Sequence, residues 1–466
     1  MLTYYPYYFS SKAIICYFVT LALASCIFLS RTMPYQFMLI GIVTVALFFT
    51  YCNKLSMQWH RFSPKLFKKK LFQNALIIRI VYVIFAYFFY FEMTGQPFMF
   101  HTGDELGYHE VGVMIREDGL EMFNTYVHFY SLSDRGYFYW LGLAYTLFGT
   151  HVLVGRIVKC ILDSYACLLI YNLAKRNFGE FTGRMAALFY MMMPNMWYYC
   201  GITLKETEMA FLVILFAERA DSVMHSKKIT VVSLLVPGLI SLIMFTFRTA
   251  LAAVLIAALV AAIILSSGKQ LELWKKILYS SIFAVWMMMT VGVEMIEETQ
   301  ELWSGRTQNQ EIGYEWRAER ENGNSFAKYA SASVFAPFIF TIPFSTLVNV
   351  PGQENQMMLH GGNFIKNIMS GFTIFALFLL LFSGDWRKHA LPLALMCGYL
   401  LVLVFSNFAH SERFHFPVLG LELMFAAYGI SQAKNKQKRW YTLWLVFVSF
   451  ANLAWCYIKL AGRGLS

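Results

Sequence analysis

The run ALIIRIVYVIFAYFFYF, residues 75–91, decides the fold. It is almost entirely apolar, and ten residues further on stands HTGDELGYHE, residues 101–110, with adjacent carboxylates, two histidines, a tyrosine and two glycines. An apolar stretch of about 20 residues is what a helix needs to cross a ~30 Å hydrocarbon core. The rest of the chain repeats this pattern. Of its 466 residues, 58% are hydrophobic and only 14% charged, where a soluble domain carries roughly a quarter charged. The expected class is all-α and polytopic, with about thirteen transmembrane helices near 13–30, 35–52, 74–93, 154–174, 182–200, 204–219, 229–247, 249–267, 277–294, 364–383, 390–408, 415–431 and 440–458. Residues 136–150 are a candidate for a further membrane-dipping helix. The short alternating segments of a transmembrane barrel are not seen.

The net charge of +11 does not point to nucleic acid, because the basic residues sit in short clusters between apolar segments. Lys and Arg gather in 53–70, in Lys175, Arg176 and Arg184, in Lys227 and Lys228, in Lys269, Lys275 and Lys276, in Arg387 and Lys388, and in 434–439. With the spans above, all fall on one side, which the positive-inside rule makes cytoplasmic, in contact with membrane lipids. The eight cysteines lie in or at the ends of apolar segments, so neither a disulfide framework nor a CxxC metal site is indicated. The first apolar segment lacks the flanks of a cleaved signal and is read as retained.

The opposite side then carries two sizeable polar segments, 94–153 and 295–363. They divide the chain into two N-terminal spans with a basic loop (1–73), a core (74–294), the second external loop (295–363) and C-terminal helices (364–466). The second loop includes the proline-interrupted run SVFAPFIFTIPFSTLVNV, 333–350, which either lies in the interface or re-enters the membrane.

The titratable groups cluster at the external ends of spans. Asp104 and Glu105 open the first loop, flanked by Gly103 and Gly107, with Tyr108 as a candidate substrate contact. A carboxylate held at an apolar wall can act as general base toward a substrate hydroxyl. The ordinary alternative is a pair of solvated loop acids. His101, Glu105 and His109 are spaced four apart and would share a helix face, where magnesium or manganese could sit; the glycines argue against a regular helix there, and ordinary loop histidines are the competing reading. Lys205 and Glu206 stand in a short external turn, either as an exposed ion pair at a helix start or facing inward to hold a phosphate. His410, Glu412, Arg413 and His415 gather at another external end, and Arg413 suits an anionic head group. Arg248 is a further phosphate candidate, with snorkelling as its alternative. Glu422 lies deeper, where a partner on another span is expected. Lys159 and Asp163 have the spacing of an i,i+4 ion pair, expected to lock helix packing beside Arg156.

Two long stretches carry a resemblance. They are RGYFYWLGLAYTLFGTHVLVGRIVKCILDSYACLLIYNLAKRNFGEFTGRMAALFYMMMPNMWYYCGITLKE, 135–206, and ERFHFPVLGLELMFAAYGI, 412–430. With the acids at 104 and 105, the chain resembles the GT-C superfamily of integral-membrane glycosyltransferases, in the style of bacterial protein O-mannosyltransferases and lipid A aminoarabinose transferases. The resemblance covers 74–220 well and 405–431 more loosely. It implies a first-loop acid at Asp104, with Glu105 beside it, acting as base or helping to bind a divalent metal. It also implies a second-turn acid at Glu206 and an arginine-aromatic element at Arg413 and Phe414. The implied donor is a sugar on a polyprenyl phosphate, the acceptor a glycan, lipid or protein, and the outcome inversion. The implied place is a bacterial inner membrane with the site facing the periplasm. Lys205, Arg413 or Arg248 would receive the leaving phosphate. Two alternatives stay open. An O-antigen or capsule-type polymerase would use lipid pyrophosphate oligosaccharides and the loop arginines Arg306, Arg317 and Arg320. A transporter or flippase would place ionisable groups deep in several spans.

Overall fold

A computed structural model describes residues 4–101, 103–127, 130–226, 231–265, 324, 336–405, 409–434 and 437–465. The expected span at 277–294 and the arginines at 306, 317 and 320 lie outside these residues. Among the described residues the architecture is helical without strands: α1 (Tyr7–Ile27), α2 (Tyr35–Trp59), α3 (Pro64–Thr94), α4 (Gly103–Tyr126), α5 (Leu132–Phe148), α6 (Val152–Phe178), α7 (Glu180–Met192), α8 (Pro194–Cys200), α9 (Glu206–Met224), α10 (Val231–Phe245), α11 (Thr249–Leu265), α12 (Glu354–Ser383), α13 (Ala390–Phe405), α14 (Glu412–Gln432) and α15 (Gln437–Ala461). By length and composition, seven helices suit a membrane crossing: α1, α2, α3, α12, α13 with its preceding turn, α14 and α15. The protein is an integral, multi-pass membrane protein. The other expected spans that fall on described residues correspond to helices that are shorter or carry more charge, such as α6 with Arg156, Lys159 and Asp163.

Local sequence sets the breaks. Ser63 caps α3 by accepting from the Leu66 amide at 3.3 Å, Pro64 opens the helix, and Gly95 ends it with φ 76°. The expected single span at 182–200 is two helices, because Pro194 cannot donate to the helix before it. The stretch 101–110, where glycines argued against a regular helix, is helical from Gly103 onward. Asp104 and Glu105 occupy its first turn, where the exposed amides favour negative charge. The segment 94–153, expected as an external loop, is thus largely two packed helices, α4 and α5.

At the centre lies α14, with most of its length buried against α7, α9, α12 and α13. Beyond its first turn the helix is mostly apolar all round, as a core position requires, with Glu422 as the charged exception. Gly429 lets α12 and α14 touch backbone to backbone: a Cβ there would stand 2.2 Å from the Phe372 carbonyl oxygen. The two N-terminal helices are joined to this core. Tyr17 of α1 bonds His360 of α12 at 2.8 Å, and α2 presents Gly41 to the same ring.

Basic connections gather at one end of the bundle. Arg184 donates to the carbonyls of Trp59 and Phe62, at 2.6 and 2.8 Å, and Arg176 pairs with Glu218 and Asp221 at 2.6 and 2.8 Å. Of the run 333–350, the described part from Ala336 is a short turn followed by an extended segment buried inside the protein. Its carbonyls at Thr341, Ile342 and Pro343 accept from Asn367 and Lys366, at 2.6, 2.6 and 2.9 Å. Its amides at Ser345 and Leu347 donate to Asn452 and Cys456, at 2.5 and 3.3 Å. Non-helical backbone is tolerated inside a membrane protein when its polar groups are satisfied in this way.

Candidate functional site

At the end opposite the basic connections, three distant parts of the chain meet on one guanidinium. Arg413, in the first turn of α14, donates from Nη1 to Asp104 at 2.6 Å and from Nε to Glu206. Asp104 comes from the start of α4 and Glu206 from the start of α9. The two carboxylates differ in setting. The Asp104 side chain is 57% exposed, whereas Glu206 has no exposure.

Helix α6 fixes the two acid-bearing segments to each other. Arg156, fully buried, donates from Nη2 to Glu105 at 2.8 Å and from Nε to Thr203 at 3.3 Å. Glu105 also accepts from the amides of Thr203 and Met99. Both of its oxygens are therefore engaged and none of the side chain reaches solvent. Lys159, one turn along α6, donates to the carbonyls of Ile202 at 2.9 Å and Leu204, and lies 3.7 Å from Glu208. These cations clamp the turn that ends in Lys205 and Glu206. The expected Lys159–Asp163 pair does not form. Asp163 pairs instead with Arg79 of α3 and accepts from Tyr190 at 2.5 Å.

Lys205 faces inward. Its Nζ donates to Asp134 at 2.5 Å, and Tyr108 donates to the same carboxylate oxygen at 2.7 Å. Burial pushes the Asp134 carboxyl up, but Lys205 and the Tyr108 hydroxyl outweigh burial and hold it below its ordinary value. Burial lowers the Lys205 ammonium, and Asp134 restores only part of that. Arg248, in the α10–α11 turn, lies 4.2 Å above the Phe414 ring. Its Nη1 is buried without a hydrogen-bond partner. His410 packs beside Trp455, with 6.0 Å between ring centroids. Glu422 finds the partner expected of it: Lys366 of α12 stands 3.7 Å away, and also bonds His415 at 2.9 Å.

The three-residue metal set does not assemble. His101 bonds Glu354 at 3.0 Å, His109 bonds the Tyr145 hydroxyl at 2.7 Å, and Glu105 is held by Arg156. His101 precedes α4 with φ 57°, so the spacing of four does not run along one helix. Among the described residues no three His, Cys, Asp or Glu side chains could hold a metal. Asp104 and Glu206 converge, but on an arginine that already supplies the positive charge. Among the described residues, no three ligands for a divalent ion come together here.

Asp134 was not anticipated, since its value lies in a contact with Lys205 across 71 residues. The clamp formed by Arg156 and Lys159 was half legible: they are three apart on α6 and share a face.

The model of the Alg9-like mannosyltransferase family matches residues 357–462. The match takes in nearly all of α12 and the whole of α13, α14 and α15, with Arg413, Glu422 and Lys366. The match supports a membrane glycosyltransferase of the GT-C type. No curated protein and no solved structure matches it significantly. The family match lies on the C-terminal helices, whereas the resemblance read in the sequence is strongest over 74–220. The two regions meet physically where Arg413 holds Asp104 and Glu206.

Proposed function

We propose that this GT-C transferase moves a sugar from a polyprenyl phosphate to a glycan, lipid or protein acceptor at the external membrane face, with inversion. In a bacterial inner membrane that face is the periplasm. The observation that carries the reading is the convergence of Asp104, Glu206 and Arg413, from three separate parts of the chain, at the end away from the basic connections. A lipid-borne donor and a polar acceptor can meet only at such a surface.

In this mechanism Asp104 is the base, because it is the exposed carboxylate of the cluster. It accepts the acceptor hydroxyl proton as that oxygen attacks the anomeric carbon. The new C–O bond forms on the face opposite the phosphate, and the old C–O bond breaks with its electron pair going to phosphate oxygen. Lys205, Arg248 and Arg413 stabilise the charge that develops there. Glu105, buried and fully bonded, positions Asp104 rather than reacting. The family's printed activity makes a mannosyl phosphate the first donor to try.

The test uses purified protein in lipid, a panel of radiolabelled polyprenyl-phosphate sugars, and release of the sugar as readout. Turnover that disappears in Asp104→Asn while donor binding persists supports the reading. Equal turnover in Asp104→Asn removes Asp104 as base. Extension of a pyrophosphate-linked oligosaccharide, with no monosaccharide donor used, favours the polymerase.

A further inference from the structure

The two bonds of Arg413 differ in permanence. Glu206 has no solvent exposure, and breaking a buried ion pair is strongly unfavourable. Asp104 is more than half exposed, and such a pair is weak and exchangeable. Lys205 repeats the arrangement: one bond goes to the Ser133 carbonyl, the other to Asp134, whose side chain is about a third exposed. Arg413 and Lys205 thus each have one fixed partner and one that a competing anion can displace.

We infer that Arg413 positions Asp104 and couples it to the donor: without donor it holds the Asp104 carboxylate in an ion pair, and a donor phosphate that takes over the guanidinium releases Asp104 to serve as base. The inference rests on the proposed function, since it needs Asp104 to be the base and a lipid phosphate to be the ligand. The coupling step is an exchange of ion-pair partners, with no bond made or broken. The proton that Asp104 later takes comes from the acceptor hydroxyl. The order follows: an acceptor arriving before the donor meets a carboxylate already occupied, and the base becomes free only once a donor phosphate is in place.

The competition is readable without turnover. Equilibrium binding of polyprenyl phosphate, lacking sugar, is measured on the full chain in lipid nanodiscs. Asp104→Asn removes the competing charge and should bind about two- to fivefold tighter than wild type, the range of an exposed ion pair. Asp104→Glu keeps the charge and should bind as wild type does. In an Arg413→Gln background, Asp104→Asn should give no tightening. Unchanged or weaker binding in Asp104→Asn, or equal tightening in Asp104→Glu, overturns the coupling. If turnover of Asp104→Asn is lost while its binding is unchanged, the base assignment stands and the coupling alone falls. Full turnover in Asp104→Asn overturns the function on which the coupling rests.

Discussion

Asp104 and Glu105 are neighbours in the chain and opposites in setting: Asp104 meets Arg413 at the surface, and Glu105 meets Arg156 with no exposure on either side. The two acids should therefore fail differently. Asp104→Asn is expected to lower turnover by about 10²- to 10⁴-fold, the scale of a lost general base, with unfolding within about 0.5 kcal/mol of wild type. Glu105→Gln should instead cost about 3 kcal/mol of stability, because it leaves the Arg156 charge buried. Parallel unfolding and turnover assays in one detergent separate the two outcomes. Equal loss of stability in both variants would contradict the assignment.

Arg79 and Asp163 form a fully buried pair between α3 and α6. Arg79→Ala should destabilise by about 3–5 kcal/mol, since a lone buried carboxylate remains. Replacing both at once, as Arg79→Met with Asp163→Leu, should recover most of that loss. Unfolding of the two single variants and the double variant measures the coupling. A double variant no better than the worse single one would show that the pair does not act as a unit.

Gly41 is a contact surface for α12. A Cβ there would lie 2.0 Å from His360 Nε2 and 2.4 Å from the Tyr17 hydroxyl, both in a buried cluster. Gly41→Ala should cost about 1–3 kcal/mol by overpacking. A melting temperature at the wild-type value would show that α2 does not press on α12 this closely.

His109 gives the site a response to acid. Burial, then the Arg156 charge, lowers its imidazole below the ordinary value of 6.5, against weaker opposing effects from Glu105 and Glu110, while His151 adds to the lowering. The unfolded chain therefore binds the proton more readily than the folded one. The stabilisation is complete above the ordinary imidazole value and is lost as pH falls through the lowered one. Hydrogen exchange of residues 104–126 should accelerate between pH 7.5 and 5, beyond the intrinsic pH effect. His109→Gln should flatten this response. An identical acid response in His109→Gln would assign it elsewhere.

Hydropathy made the helical class legible, and most spans lie within a few residues of helices now seen. Residues at span ends were legible as well. Asp104, Glu206 and Arg413 were each singled out by position, and the fold joins them across 309 and 207 residues. Pairing was less legible. The spacing of Lys159 and Asp163 suggested a local bond, yet Asp163 pairs with Arg79 of α3 and Lys159 bonds the carbonyls of the turn before α9. Helix register decides such choices, and local sequence does not carry it. The histidine spacing misled for a related reason: a period of four has meaning only within one helix, and His101 stands before α4 begins.

The extended segment after Ala336 bears on how the protein is made. Its hydrogen-bond partners come from the α1–α2 connection through the Arg31 carbonyl, from α12, and from Asn452 and Cys456 of α15. Ribosomes deliver α15 after the other described helices, and unpaired backbone in hydrocarbon costs several kcal/mol per group. The segment must therefore wait, shielded or outside the bilayer, until α15 has been inserted. Closure of this segment thus joins two regions made far apart in time, the early α1–α2 connection and the late α15.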